Sequence, residues 1–173
     1  MGKELFGTDG IRGVAGEYPL DRATVYAFGL ALGRGLASRG PNAEVLLGAD
    51  TRESGPWIAE LVAGGLMDAG ARARHAGIIT TPGVAHLTRT GPFQAGGMIS
   101  ASHNPYQDNG IKVFGHNGFK LPDSEEHSIE QEIFRLLHKG VQPRAAVLSV
   151  EEDLDGKYVD YLVSTAELSL AGF

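Results

Sequence analysis

The sequence predicts an α/β layer fold, and three observations carry that prediction. Helical and strand patterns alternate along the chain. Helical segments separate successive strands, so the connections are crossovers rather than hairpins. The third is size: 173 residues, 42% of them hydrophobic, supply one sizeable core for a domain of ordinary length.

The first clear helix runs from Arg22 to Arg39, where Val25, Phe28, Leu32 and Leu36 recur at helical spacing, Asp21 is placed to cap it and Gly40-Pro41 stops it. Gly29 and Gly33 on one side of that helix indicate close backbone packing, since glycine in mid-helix costs roughly 1 kcal/mol and needs a compensating reason. Glu44 to Gly48 reads as a strand around Val45-Leu46-Leu47, followed by a helix from Pro56 to Ala69 with Ile58, Leu61, Val62 and Leu66 inward and Gly70 just past its end. Next come a strand near Ala71 to Ala76, a turn at Thr80-Thr81-Pro82, a short helix from Gly83 to Thr90 and a short buried strand, Ala95 to Ile99. Beyond it, Gly110 to Phe114 is a further strand, and Asp123-Ser124-Glu125-Glu126 matches a capping box before a helix carrying Ile129, Ile133, Leu136 and Leu137 that ends near Lys139-Gly140. Val141 to Asp153, with Pro143 and several charges, reads as a linker, and Tyr158, Tyr161 and Leu162 as a helix beyond it.

Composition excludes several classes of function. The formal charge is −6 and no Lys/Arg-rich run is present, so the chain lacks the basic stripe with which proteins neutralise a nucleic-acid backbone. Without cysteine there is no disulfide framework, thiolate zinc site or cysteine nucleophile. No stretch reaches membrane-spanning length, and Met1-Gly2-Lys3-Glu4 leads into a polar glycine loop instead of an apolar signal core, so a cytoplasmic protein without membrane partners is expected. The 25 glycines form neither an internal repeat nor a low-complexity tract.

Chemistry concentrates in Ile99-Ser100-Ala101-Ser102-His103-Asn104-Pro105, which places hydroxyls in a tight loop where the apolar run stops. A serine needs a base, a metal or cations to become a nucleophile. His103 is badly placed to be that base, because adjacent residues of extended chain project to opposite sides, and no G-x-S-x-G elbow surrounds Ser102. Residue pattern alone leaves a turn-forming serine open beside a reactive one. Upstream, Gly7, Gly10 and Gly13 form a loop able to turn backbone N–H groups toward an anion, with Arg12 adding a planar guanidinium, although spacing alone favours a plain entry loop with a surface arginine. Asp50-Thr51-Arg52 follows a strand, where open α/β sheets place ligand contacts, so Arg52 either holds a phosphate or pairs with Asp50 or Glu53 at the helix start.

Taken whole, Gly97 to Lys112, including Ser100-Ala101-Ser102-His103-Asn104-Pro105, resembles the active-site loop of the alpha-D-phosphohexomutases. Leu5-Phe6-Gly7-Thr8-Asp9-Gly10-Ile11-Arg12-Gly13 resembles that family's opening loop, and Gly118-Phe119-Lys120-Leu121-Pro122 looks most like its phosphoglucosamine mutase branch. The resemblance implies a three-layer α/β/α domain with a mixed, mostly parallel sheet over residues 1–150, and in 151–173 the linker and first helix of an incomplete second domain. It implies Ser102 as the phosphoserine nucleophile, Lys112 in acid/base or charge-stabilising work, and His103 and Arg12 beside the phosphate. Thr8, Asp9, Arg52 and Asn104 join them as phosphate or substrate contacts. It further implies a hexosamine phosphate substrate, a 1,6-bisphosphorylated sugar intermediate, and Mg2+ held by Ser102 through its phosphate with the other ligands outside this chain. A homodimer is left open. His75, His86, His116, His127 and His138 match no motif and are expected on the surface or in helices. The family's D-G-D-x-D-R metal loop, sugar loop and C-terminal phosphate loop do not occur in this sequence, so a fragment without turnover of its own is expected. Sister phosphomannomutase or phosphoglucomutase branches, and a non-catalytic sugar-phosphate-binding module, are the alternatives.

Overall fold

The computed structural model describes residues 4–166. In chain order the elements are β1 (Ile11–Val14), α1 (Arg22–Ala37), β2 (Glu44–Ala49), α2 (Gly55–Asp68), β3 (Arg72–Ile78), α3 (Thr81–Thr90), β4 (Ala95–Ile99), β5 (Asp108–Gly115), α4 (Asp123–His138) and α5 (Asp153–Ser164). The strands form one sheet in the order β1-β5-β4-β2-β3. β2 pairs in parallel with β3 and β4, whereas β5 is antiparallel to both β4 and β1, so β5 alone is reversed. The α/β/α layering and the mixed sheet match the expectation.

Alternation along the strands divides the core between two faces. Val45, Leu47 and Ala49 of β2 join Ala95 and Ile99 of β4 beneath α1, α2 and α4. Leu46 and Met98 point the other way, into a smaller core with Val84 and Leu87 of α3 and Leu154 of α5. Asp21 caps α1 as expected, its carboxylate accepting from the N–H groups of Ala23 and Thr24. The crossing of α1 on α2 is a backbone contact. A Cβ on Gly29 would stand 2.2 Å from the Val62 carbonyl oxygen, and one on Gly65 2.3 Å from that of Tyr26.

Four local expectations change. Part of the opening loop is β1, whose glycine-interrupted four residues pair from Ile11↔Ile111 to Val14↔Asp108. α3 starts within the expected turn, with Thr80 as N-cap accepting from the Gly83 N–H and Pro82 in the first turn, where its missing N–H costs nothing. At α4 the capping box does not form, because Asp123 is already helical and Pro122 is the N-cap, while Glu126 turns inward to meet Lys120 at 3.2 Å. Finally, His75 lies in β3, and both its ring nitrogens are shut off from solvent without a hydrogen-bond partner among the described residues, so burial lowers its pKa.

The segment expected as a linker lies along the domain. The Ala146 N–H donates to the Glu60 carbonyl, Val150 bridges to His75, and Arg74 forks onto Glu151. α5 then rests on α3, with His86 stacked on Tyr161 at 3.8 Å between ring centroids. The remainder of the expected second-domain segment, 167–173, lies outside the described residues. Among the described residues no helix is long and apolar enough to cross a membrane.

The α1–α2 contact sets a stability prediction. Gly29→Ala drives a methyl into the Val62 carbonyl and is expected to cost about 2–3 kcal/mol, read as a fall in Tm of about 5–10 °C by thermal denaturation.

Candidate active site

The reversed strand brings distant residues to one place. β4 ends at Ile99 opposite Ile111 of β5, and β1 lies on the far side of β5 with Arg12 opposite Gly110. The loop from Ser100 to Gln107 therefore leaves the end of β4 and returns into β5, close to the opening segment that precedes β1. Its neck is fixed by the Ser100 N–H on the Gly110 carbonyl at 3.0 Å. The Ser100 hydroxyl accepts from the Ser102 N–H at 3.0 Å, and Ser102 is held at φ +56°, a left-handed conformation unusual for a residue with a Cβ.

Ser102 is exposed and its Oγ accepts from Lys112 Nζ at 3.2 Å. The Lys112 side chain is only 10% exposed and also meets Asp9 Oδ2 at 2.9 Å, an oxygen that Arg12 reaches at 3.0 Å. One carboxylate oxygen thus sits between two cations beside the serine hydroxyl. Burial pushes the Asp9 carboxyl up, but the hydrogen bond and charge of Lys112 and the charge and hydrogen bond of Arg12 outweigh it and hold the pKa below 3.8. Such an arrangement can neutralise a dianion on Ser102, since both cations are paired to a group that a phosphoryl oxygen could replace.

Thr8 lines a cavity of about 400 Å³ with Asp9 and Arg12. Asn104 shapes the loop, its side-chain amide donating to Asp108 at 2.9 Å and its N–H to the Ala101 carbonyl. His103 is exposed and makes no hydrogen bond or ion pair among the described residues. Arg52 departs from the phosphate-binding reading. Its Nε donates to Asp50 at 3.2 Å, one terminal nitrogen to the carbonyls of Pro105 and Asp108, and the other to those of Ser102 and Asn104. A guanidinium has five N–H donors, and all are committed within the protein, leaving none for a phosphate. Arg52, Ser102 and Asn104 border a cleft of about 940 Å³ that also takes in Thr51 and Tyr106.

Two further residues hold this arrangement: Asn109, expected only to shape the turn and found in β5, and Glu130, which sequence reasoning passed over. Asn109 is fully buried, donating to the Ser54 hydroxyl at 2.8 Å. Glu130 of α4 accepts from the N–H groups of Glu4, Leu5 and Phe6 at 3.0, 2.7 and 3.1 Å, which anchors the segment leading to Thr8 and Asp9. Burial raises the Glu130 pKa, but these three backbone donors prevail and hold it low. Helical spacing held the clue, because Glu126, Glu130 and Ile133 share the inward stripe of α4.

Residues 3–139 match the family model described as phosphoglucomutase/phosphomannomutase, alpha/beta/alpha domain I. The chain belongs to this family. It is 66% identical over 172 residues to the phosphoglucosamine mutase of Solibacter usitatus (strain Ellin6076), covering 99% of this chain and 39% of that one. It is 53% identical to the phosphoglucosamine mutase of Koribacter versatilis (strain Ellin345), covering 95% and 37%. This chain therefore spans somewhat over a third of the length of the curated relatives it matches. A solved chain from Thermus thermophilus superposes with a TM-score of 0.78 at 28% identity, over 96% of this chain and 37% of its own. A phosphoglucomutase/phosphomannomutase family protein from Burkholderia thailandensis, at 22% identity and a TM-score of 0.75 over 95% of this chain and 36% of its own, shares the fold.

The Asp9 pairings give a titration test. Lys112→Met is expected to raise the Asp9 pKa from its depressed value toward 3.8, followed by NMR of the side-chain carboxyl. Because the folded pKa is the lower one, the stabilisation from this carboxylate is present above the ordinary carboxylate range and is lost as pH falls through the folded value. The variant should flatten that acid limb of the stability curve.

Proposed function

We propose that this chain is the nucleophile-bearing first domain of a phosphoglucosamine mutase, with residues 1–150 as that domain and 151–173 as the lead into a second. The observation that carries the reading is the exposed Ser102 hydroxyl at the tip of its loop, 3.2 Å from Lys112 Nζ and backed by the Asp9–Arg12 pair, in a chain 66% identical to a protein of that name.

In this reading Ser102 carries a phosphoryl group, which adds about −1.5 to −2 charge. Lys112 and Arg12 neutralise it, shifting their contacts from Asp9 to the phosphoryl oxygens. A hydroxyl of the hexosamine phosphate forms a new O–P bond while the bond from phosphorus to Ser102 Oγ breaks, and the hydroxyl's proton ends on Oγ. Lys112 Nζ, already in contact with Oγ, stabilises the charge that develops on it until that proton arrives. The product is a 1,6-bisphosphate. After it reorients, its other phosphoryl group returns to Oγ, its bond to the sugar oxygen breaks, the Oγ proton ends on that oxygen, and the isomeric monophosphate leaves. The net change exchanges glucosamine 6-phosphate and glucosamine 1-phosphate, toward UDP-N-acetylglucosamine. Positioning and charge neutralisation supply most of such catalysis. Thr8, His103 and Asn104 line the path of the phosphoryl group.

Mg2+ is the family's expected ion, and it would supply further neutralisation of the phosphoryl oxygens. Among the described residues no group of three or more His, Asp or Glu stands close enough to hold a metal ion; in this reading the ion would meet this domain through the phosphoryl oxygen on Ser102. The enzyme is placed in the cytoplasm, where its sugar phosphates occur.

The test is mutase activity of the full-length protein on glucosamine 6-phosphate, glucose 6-phosphate and mannose 6-phosphate. Preference for the amino sugar is expected, with loss of at least about 1,000-fold in kcat for Ser102→Ala, and no turnover by residues 1–173 alone. Preference for a neutral hexose phosphate assigns a sister branch, and activity without Ser102 overturns the phosphoserine reading.

A further inference from the structure

We propose that Arg52 is the positioning residue of the nucleophile: a buried guanidinium around which the Ser102 loop is wrapped, and which fixes the strained backbone that aims Oγ at Lys112. The assignment rests on the phosphoserine reading of Ser102 for its catalytic meaning and on geometry for its structural one.

An arginine that merely paired with Asp50 at the start of α2 would use one or two N–H groups and leave the others to water. Here Arg52 is 10% exposed, and its two terminal nitrogens donate to four carbonyl oxygens, those of Ser102 (3.1 Å), Asn104 (2.9 Å), Pro105 (2.5 Å) and Asp108 (2.9 Å). Three of these carbonyls belong to the loop some fifty residues away in sequence, and the fourth, that of Asp108, opens β5 where the loop returns to the sheet. The guanidinium thus ties the tip of the loop to its return into β5.

Arg52 is itself held from below. Asp50 takes its Nε and its backbone N–H, while the Asp50 N–H donates to the Ile99 carbonyl at the end of β4, so clamp and loop neck share one anchor. Its contact with Ser102 is decisive. The Ser102 peptide is gripped on both sides, its N–H by the Ser100 hydroxyl and its carbonyl by Arg52, and this grip sustains φ +56°. Released, the residue relaxes to a negative φ and Oγ swings away from Lys112. Lysine cannot replace this device, because three donors on one nitrogen cannot span carbonyls arranged around a planar fork.

The test uses the full-length protein and compares Arg52→Lys with wild type. Expected are a fall in kcat of about 100-fold with KM for the sugar phosphate within about threefold, the mark of a misplaced nucleophile rather than a lost substrate contact. Amide exchange over residues 102–109, measured by mass spectrometry, should accelerate at least about tenfold while the β2 and β4 amides stay protected. Asp50→Asn, which keeps the guanidinium but loosens its anchor, should give a smaller loss in the same direction, and it decides the matter should Arg52→Lys fail to fold. Unchanged kcat and loop exchange overturn the proposal, as does a rise in KM that accounts for the whole loss, which would make Arg52 a phosphate ligand. If Ser102→Ala retains mutase activity, the phosphoserine reading falls, and the exchange measurement alone decides whether Arg52 holds the loop.

Discussion

The antiparallel seating of β5 between β4 and β1 is the constraint on which the rest of this domain depends. A wholly parallel sheet would return β5 from a crossover helix and enter it from the opposite end. Reversal lets an eight-residue connection join the end of β4 to the start of β5, so that Ser102 and Lys112, ten residues apart, meet where the chain passes from β4 into β5. The same reversal lets β1 pair with the outer edge of β5, which delivers the opening loop with Asp9 and Arg12 to that place. The buried carboxylate of Glu130 completes the closure by fastening the backbone just upstream to α4.

Two arginines stand near the serine, and the structure separates their roles by what their donors meet. Arg12 is a third exposed and bonds a single carboxylate oxygen, so its partner can be exchanged for another anion at little cost. Arg52 is saturated by backbone carbonyls and an internal aspartate, with none of its five donors left over. Asp9 is half exposed and shared by two cations, Lys112 and Arg12. Charge recognition and loop architecture are thereby assigned to different guanidiniums.

Much of this was legible in the sequence, for identifiable reasons. α1, α2 and α4 have long apolar stripes, and their extents follow from the 3.6-residue period and the flanking glycines. The serine loop stood out because apolar β4 stops abruptly at polar, turn-forming residues. β1 was hidden because it has four residues, one of them glycine, and pairs only through a distant partner. The capping signature at Asp123 was overruled because the helix starts one residue earlier than it implies, with Pro122 as the N-cap and Asp123 already helical. Arg52 was half legible: its pairing with Asp50 is local and was among the readings, while the four carbonyls belong to a segment whose approach only the sheet order specifies. His75 was misplaced because a lone histidine carries no periodic signal of its own.

The left-handed backbone at Ser102 narrows the side chains that can stand there before any reaction is considered. Threonine carries the same hydroxyl with similar acidity, yet its branched Cβ is poorly accommodated at φ +56°. The choice between two chemically interchangeable alcohols is thus made by the peptide chain, and the loop's shape acts as a filter on the alphabet available at position 102.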